Sequence, residues 1–170
     1  QIIEDTILAY IDKWNLLDIQ SILSGLSSVY EAYTYDTKLI EVLVNRLKEI
    51  TVTLNSLTLT NLMKSFYMLR YNDADLYSFI VDIIEDSIYQ DAKGRKKTKL
   101  DNISLCYTIA RLTRLGFFEH AQRLIDICEN ELDLFNKIRN PENLAQVLAS
   151  LAIMKMYDRS RWNTLSKLIF

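Results

Sequence analysis

The chain has 170 residues, 49% of them hydrophobic, enough to bury roughly two thirds of the surface its unfolded form exposes, which excludes a disordered chain. Three Gly and one Pro are too few to punctuate many short strands and hairpins, so an all-α fold is expected. The net charge of −2 excludes a surface that clings to phosphate throughout, yet residues 1–92 carry 6 Lys and Arg against 14 Asp and Glu, while residues 93–170 carry 14 against 8, so an anionic partner should prefer the C-terminal half.

The opening DTILAYIDKW, residues 5–14, has a helical apolar period and no cap of its own. Residues 1–14 are expected to be the last helix of a repeat cut off upstream, and Gln1 in place of an initiator Met reads the same way. NLLDI at 15–19 then begins an amphipathic helix whose first residue, Asn15, can accept a hydrogen bond from an orphan amide of the first turn. That opening recurs as NSLTL at 55–59, DNISL at 101–105 and NPENL at 140–144, with Pro141 at the first helical position, where its missing N–H costs nothing.

Behind each cap the apolar register is shared. Leu59 aligns with Ile19, Leu105 and Leu144; Phe66 aligns with Leu26, Leu112 and Leu151; only Thr108 interrupts the stripe. Each capped helix, A, is followed by a second amphipathic helix, B, predicted from Thr37, Asp75, His120 and Arg161. The caps are 40, 46 and 39 residues apart (15 to 55, 55 to 101, 101 to 140), and the long interval contains QDAKGRKKTK, residues 90–99, read as an inserted basic loop.

A single hairpin of about forty residues cannot bury its apolar stripes alone, so the fold expected is an α-solenoid of about four stacked helix-turn-helix repeats: 15–54, 55–100, 101–139 and 140–170. The unit is too long for tetratricopeptide or ankyrin repeats, and the chain's one Pro makes a HEAT array, usually Pro-bearing, less attractive.

No catalytic constellation is present. The only His is His120, and there is no phosphate loop, dinucleotide fingerprint or HExxH, so a non-enzymatic protein with no cofactor, no metal and no small-molecule substrate is expected. Cys106 and Cys128 have neither zinc nor disulfide spacing and are expected as buried thiols. No apolar run reaches the length of a membrane span.

Lys93, Arg95, Lys96, Lys97 and Lys99 concentrate five positive charges in seven residues, suited to a phosphate backbone or to a solvated insertion. Arg111, Arg114, Lys155, Arg159 and Arg161 add charge to the A helices and turns of repeats three and four. Tyr67, Tyr71, Tyr107 and Tyr157 lie on or just after A helices, where a ring can pack internally or stack on an unpaired base; Tyr107 is the candidate stacker.

The turns LRYND at 69–73, RLGFFE at 114–119 and MKMYD at 154–158, with helix cores LTNLMKSFYMLRY and ISLCYTIARLTRLGFF, resemble the octotricopeptide and heptatricopeptide helical repeats of RAP-domain and FAST kinase domain proteins. The resemblance spans residues 15–170, although no RAP domain is recognisable. It implies an organellar, mitochondrial RNA-binding protein that binds mRNA or rRNA along its A helices, as an RNA processing or stability factor or as a component of the mitochondrial ribosome beside ribosomal proteins. The alternative from the same residues is a solenoid scaffold for protein partners, served by the acidic half.

Overall fold

The computed structural model describes residues 2–29, 37–51, 53–92 and 100–167, and among these the chain is helical throughout, without a strand. In order the elements are α1 (Ile2–Tyr10), a 3₁₀ turn (Ile11–Lys13), α2 (Leu16–Ser28), α3 (Thr37–Ile50), α4 (Ser56–Met68) and α5 (Ala74–Ala92). There follow α6 (Asn102–Leu115), α7 (Phe118–Leu132), α8 (Leu134–Lys137), α9 (Pro141–Ile153) and α10 (Arg159–Ser166).

All four expected caps form. Asn15 accepts from the amides of Leu17 and Asp18 at 2.8 and 3.2 Å, and Asp18 returns the bond to the Asn15 amide at 3.0 Å, a reciprocal capping box. Asn55 accepts from Thr58, Asp101 from Ser104 and Asn140 from Glu142, at 2.8, 2.7 and 2.8 Å. Each cap satisfies orphan donors of a first turn and is worth about 1 kcal/mol.

The other ends of α4, α6 and α9 also match. Fifteen residues beyond the cap (55 to 70, 101 to 116, 140 to 155) the backbone turns left-handed, at Arg70 (φ 49°), Gly116 (φ 89°) and Lys155 (φ 57°). The next amide then bonds back to the helix: Tyr71 to the Phe66 carbonyl, Phe117 to Leu112 and Met156 to Leu151, at 3.0, 2.9 and 2.9 Å. A third match links the layers. The Tyr77 hydroxyl donates to the Tyr71 carbonyl at 2.7 Å, and the Trp162 indole N–H donates to Met156 at 3.0 Å; each donor lies 22 residues past its cap (55 to 77, 140 to 162).

Packing follows chain order within two layers. The A helices meet as α2 on α4, α4 on α6 and α6 on α9, while in the B layer α3 packs on α5 and α5 on α7. One continuous core results, with Ile19, Leu23, Leu59, Leu62, Met63, Phe66, Leu105, Ile109, Leu112, Val147 and Leu151 nearly sealed from solvent. Thr108, the interruption in the stripe, is fully buried and donates to the Ser104 carbonyl at 2.8 Å, so its hydroxyl costs little.

Several boundaries differ from expectation. The B helices α5, α7 and α10 begin one or two residues early; for α5 and α10 the cause is that Asp73 and Asp158, read as turn residues, are caps, accepting from Leu76 (3.0 Å) and from Ser160 and Arg161 (2.8 and 3.0 Å). Residues 90–92, assigned to the basic loop, are the last turn of α5. The opening helix tightens into the 3₁₀ turn before Trp14 extends and frees Asn15 to cap. The short α8 was not anticipated; it follows left-handed Asp133 and buries Leu134 and Phe135.

Arginines tie the B layer together. Arg123 of α7 pairs with Asp82 (2.7 Å) and Glu85 of α5, and Arg161 of α10 pairs with Asp126 (2.6 Å) and Glu129 (2.8 Å) of α7. Burial by itself lowers the pKa of both guanidiniums, but the carboxylate hydrogen bonds and charges outweigh it and raise both.

The two thiols are free and buried. Burial pushes Cys106 up to about 12, against a smaller opposing backbone hydrogen bond, and raises Cys128 and Tyr77 as well, with smaller charge effects from Cys106 and Asp73 respectively. A raised folded pKa means that the folded chain keeps protons that the unfolded chain sheds. The stability is fully present below the ordinary values of 9.0 for the thiols and 10.0 for Tyr77, and is lost progressively as pH rises from them towards the raised folded values. Each group then removes up to about 1.4 kcal/mol per pH unit. Urea midpoints should fall between about pH 8.5 and 10, and fall less steeply in a Cys106→Ala, Cys128→Ala variant.

Candidate nucleic-acid interface

Successive A helices bring their C-terminal turns side by side. Between α4 and α6 this leaves a groove of about 550 Å³ lined by Tyr67, Arg70, Tyr71, Asn72, Arg114 and Phe117, with Met68 and Leu115 completing its wall. Arg70 and Arg114 are exposed, and neither has an ion-pair partner among the described residues. The groove therefore joins two free guanidiniums to aromatic surface, the combination that holds a phosphate beside a stacked ring.

Beside it, Arg111 sits half-buried between two tyrosines. Its guanidinium lies 4.1 Å from the ring centre of Tyr67 on α4 and 4.6 Å from that of Tyr107, one turn back on α6. Tyr107 is thus a cation–π partner as well as a half-exposed ring. Arg111 lies within cation–π distance of both rings and has no carboxylate among the described residues to neutralise it.

The remaining candidates separate. Lys155 is exposed at the left-handed turn after α9, equivalent to Arg70, and Arg159 is exposed in the first turn of α10. Arg161 is not on this face: both of its carboxylate contacts lie in the B layer, where it clamps α10 to α7. Lys93, Arg95, Lys96, Lys97 and Lys99 lie outside the described residues. Tyr157 is 69% exposed, whereas Tyr71 packs its ring 5.9 Å from that of Phe66.

Arg70, Asn72 and Phe117 were not singled out from the sequence. The signal was present, because LRYND and RLGFFE place an arginine and an aromatic at each turn, but which of them share a groove depends on the stacking of α4 on α6.

A second groove, about 430 Å³, lies in the B layer around Arg123, Asp126 and Glu131, where the cation is already spent on carboxylates. Among the described residues no group of His, Cys, Asp and Glu could hold a metal ion, and no helix is long and apolar enough to cross a membrane. His120 packs edge-on to Phe117 at 5.8 Å. Comparison with protein-family models, with curated proteins and with solved structures finds no match.

Proposed function

We propose that the chain is a segment of α-solenoid that binds single-stranded RNA along its A helices, as a non-enzymatic RNA-binding protein of the mitochondrion. The solenoid reading is supported by the equal cap-to-turn intervals of α4, α6 and α9 and by the chain-order packing of A on A and B on B. The RNA reading is carried by one observation: the free cations Arg70 and Arg114 and the Tyr67–Arg111–Tyr107 stack share one face of α4 and α6, while Arg123 and Arg161 are spent on acids elsewhere. Phosphates would be held by Arg70, Arg114 and, further along, Lys155 and Arg159; a base would stack on the half-exposed ring of Tyr107 or Tyr67. The basic residues 93–99 stand shortly before α6 in the sequence and would add further phosphate contacts.

A protein partner is the second reading. Leu17, Leu57 and Ile103, each two residues past its cap, are 63, 71 and 57% exposed on adjacent A helices, an apolar row unlike a phosphate track. Titration of a labelled single-stranded RNA across a salt series separates the two. The RNA reading expects binding at about 50 mM salt that weakens steeply with salt, and an Arg70→Ala, Arg114→Ala variant whose log–log slope is smaller by about 1.4. No binding at low salt, or an unchanged slope in that variant, would leave the scaffold reading standing.

Arg70→Gly gives a sharper result because its two effects have opposite signs. A non-glycine residue at φ 49° is strained, so Gly should stabilise the chain by about 0.5–1 kcal/mol. The same change removes a phosphate contact and should weaken RNA binding, a pairing read by urea denaturation and the titration above.

A further inference from the structure

Among the described residues, one arginine is neither paired nor fully exposed. Arg46, Arg123, Arg139 and Arg161 donate to carboxylates or backbone carbonyls. Arg70, Arg111, Arg114 and Arg159 have no hydrogen bond or ion pair among the described residues, and of these four only Arg111 is half-buried, the others being exposed.

A half-buried cation gives up part of its hydration, and something must replace it. At Arg111 the replacement is aromatic: the guanidinium carbon lies 4.1 Å from the ring centre of Tyr67 on α4 and 4.6 Å from that of Tyr107 on α6. A cation–π contact stabilises the charge but gives the N–H donors no acceptor oxygen or nitrogen. The donors of Arg111 therefore stand without an acceptor, and its nitrogens are not sealed from solvent. Contacts from two helices also limit where this guanidinium sits, a restriction that Arg70 and Arg114 do not share. Alongside runs the groove between α4 and α6, to whose lining Tyr67 and Arg114 belong.

The two kinds of arginine suit two tasks. A phosphate needs charge, which the exposed Arg70 and Arg114 supply, whereas reading a base needs donors held in a fixed place. We propose that Arg111 is the base-reading residue of this interface and that it selects guanine. The inference rests on the RNA reading above and adds the base to it. A guanidinium presents two parallel N–H bonds, so it pairs with an edge carrying two neighbouring acceptors. Guanine has that edge at O6 and N7, which an unpaired strand exposes. Adenine puts an amino donor beside N7, and uracil sets N3–H between its two carbonyls, so each opposes one arm of the fork. Cytosine offers N3 and O2, but its O2 lies against the ribose, which crowds a fork arriving there.

Fluorescence anisotropy of the 170-residue chain tests this at about 50 mM salt, with oligouridines of about twelve nucleotides that each carry one purine at the centre. Guanosine should bind about tenfold tighter than adenosine. Inosine, which keeps O6 and N7 and lacks only the 2-amino group, should match guanosine, while 7-deazaguanosine, which lacks N7, should fall well below both. Arg111→Lys keeps the charge but not the fork, so it should cut the guanosine preference to less than about twofold and leave the salt slope unchanged. The purine comparison on the wild-type chain depends on no variant folding. Equal binding of guanosine and adenosine, or a preference that survives loss of N7 or the change to Lys, would overturn the proposal and leave RNA binding in place. So would an Arg111→Lys chain that weakens on every oligonucleotide alike, the mark of a phosphate contact or of a tie between α4 and α6. If no oligonucleotide binds, the RNA reading falls and this inference with it.

Discussion

Replacing Tyr77 with Ala should destabilise the chain by about 3–5 kcal/mol, enough to unfold a marginal domain. Tyr77 is fully buried on α5 and joins three elements. Its ring stands edge-on to Phe66 of α4 at 6.4 Å, and its other side meets Phe117, at the head of α7, at 4.3 Å. Its hydroxyl closes the carbonyl of Tyr71, one residue beyond the left-handed Arg70. Truncation would open a cavity between the layers and strand a carbonyl in the turn. Tyr77→Phe removes only the hydroxyl and should cost about 1 kcal/mol. Urea denaturation of both variants gives the two values; a Tyr77→Ala cost near that of Tyr77→Phe would mean that the ring is not the junction described.

The second large effect should depend on place in the row. Ile109 and Leu148 occupy the same register, eight residues past Asp101 and Asn140. Ile109, on α6 between α4 and α9, is fully buried, and Ile109→Ala should cost about 2–5 kcal/mol. Leu148 is half-exposed on α9, where truncation leaves little cavity, and Leu148→Ala should cost less than about 1 kcal/mol. Equal costs would mean that α9 is enclosed on both sides.

The all-helical character and the four capped helix starts were legible because their signals are local. Asn15, Asn55, Asp101 and Asn140 satisfy amides two or three residues away, and the apolar stripe behind each needs only helical periodicity to be recognised. Boundaries failed where one residue serves two elements: Asp73 and Asp158 end a turn and also cap a helix, and composition does not separate those duties. The candidate interface was only partly legible. Arg111, Arg114 and Tyr107 could be chosen from their place on an A helix, but Arg111 and Arg161 look alike in sequence, and only packing sets one between two tyrosines and the other between two carboxylates. Arg70 was hidden by its backbone, since a left-handed residue at a helix end is expected to be Gly, as Gly116 is.

Everything proposed for this chain requires that its A helices form an open row. Spin labels at the exposed positions Leu17, Leu57, Ile103 and Glu142, each two residues past its cap, read that row directly by pulsed dipolar spectroscopy. Adjacent packed helices lie about 8–10 Å apart, so backbone separations should grow with each step and reach roughly 24–30 Å between positions 17 and 142. A 17-to-142 separation no longer than that between 17 and 57 would show a closed bundle and contradict the account.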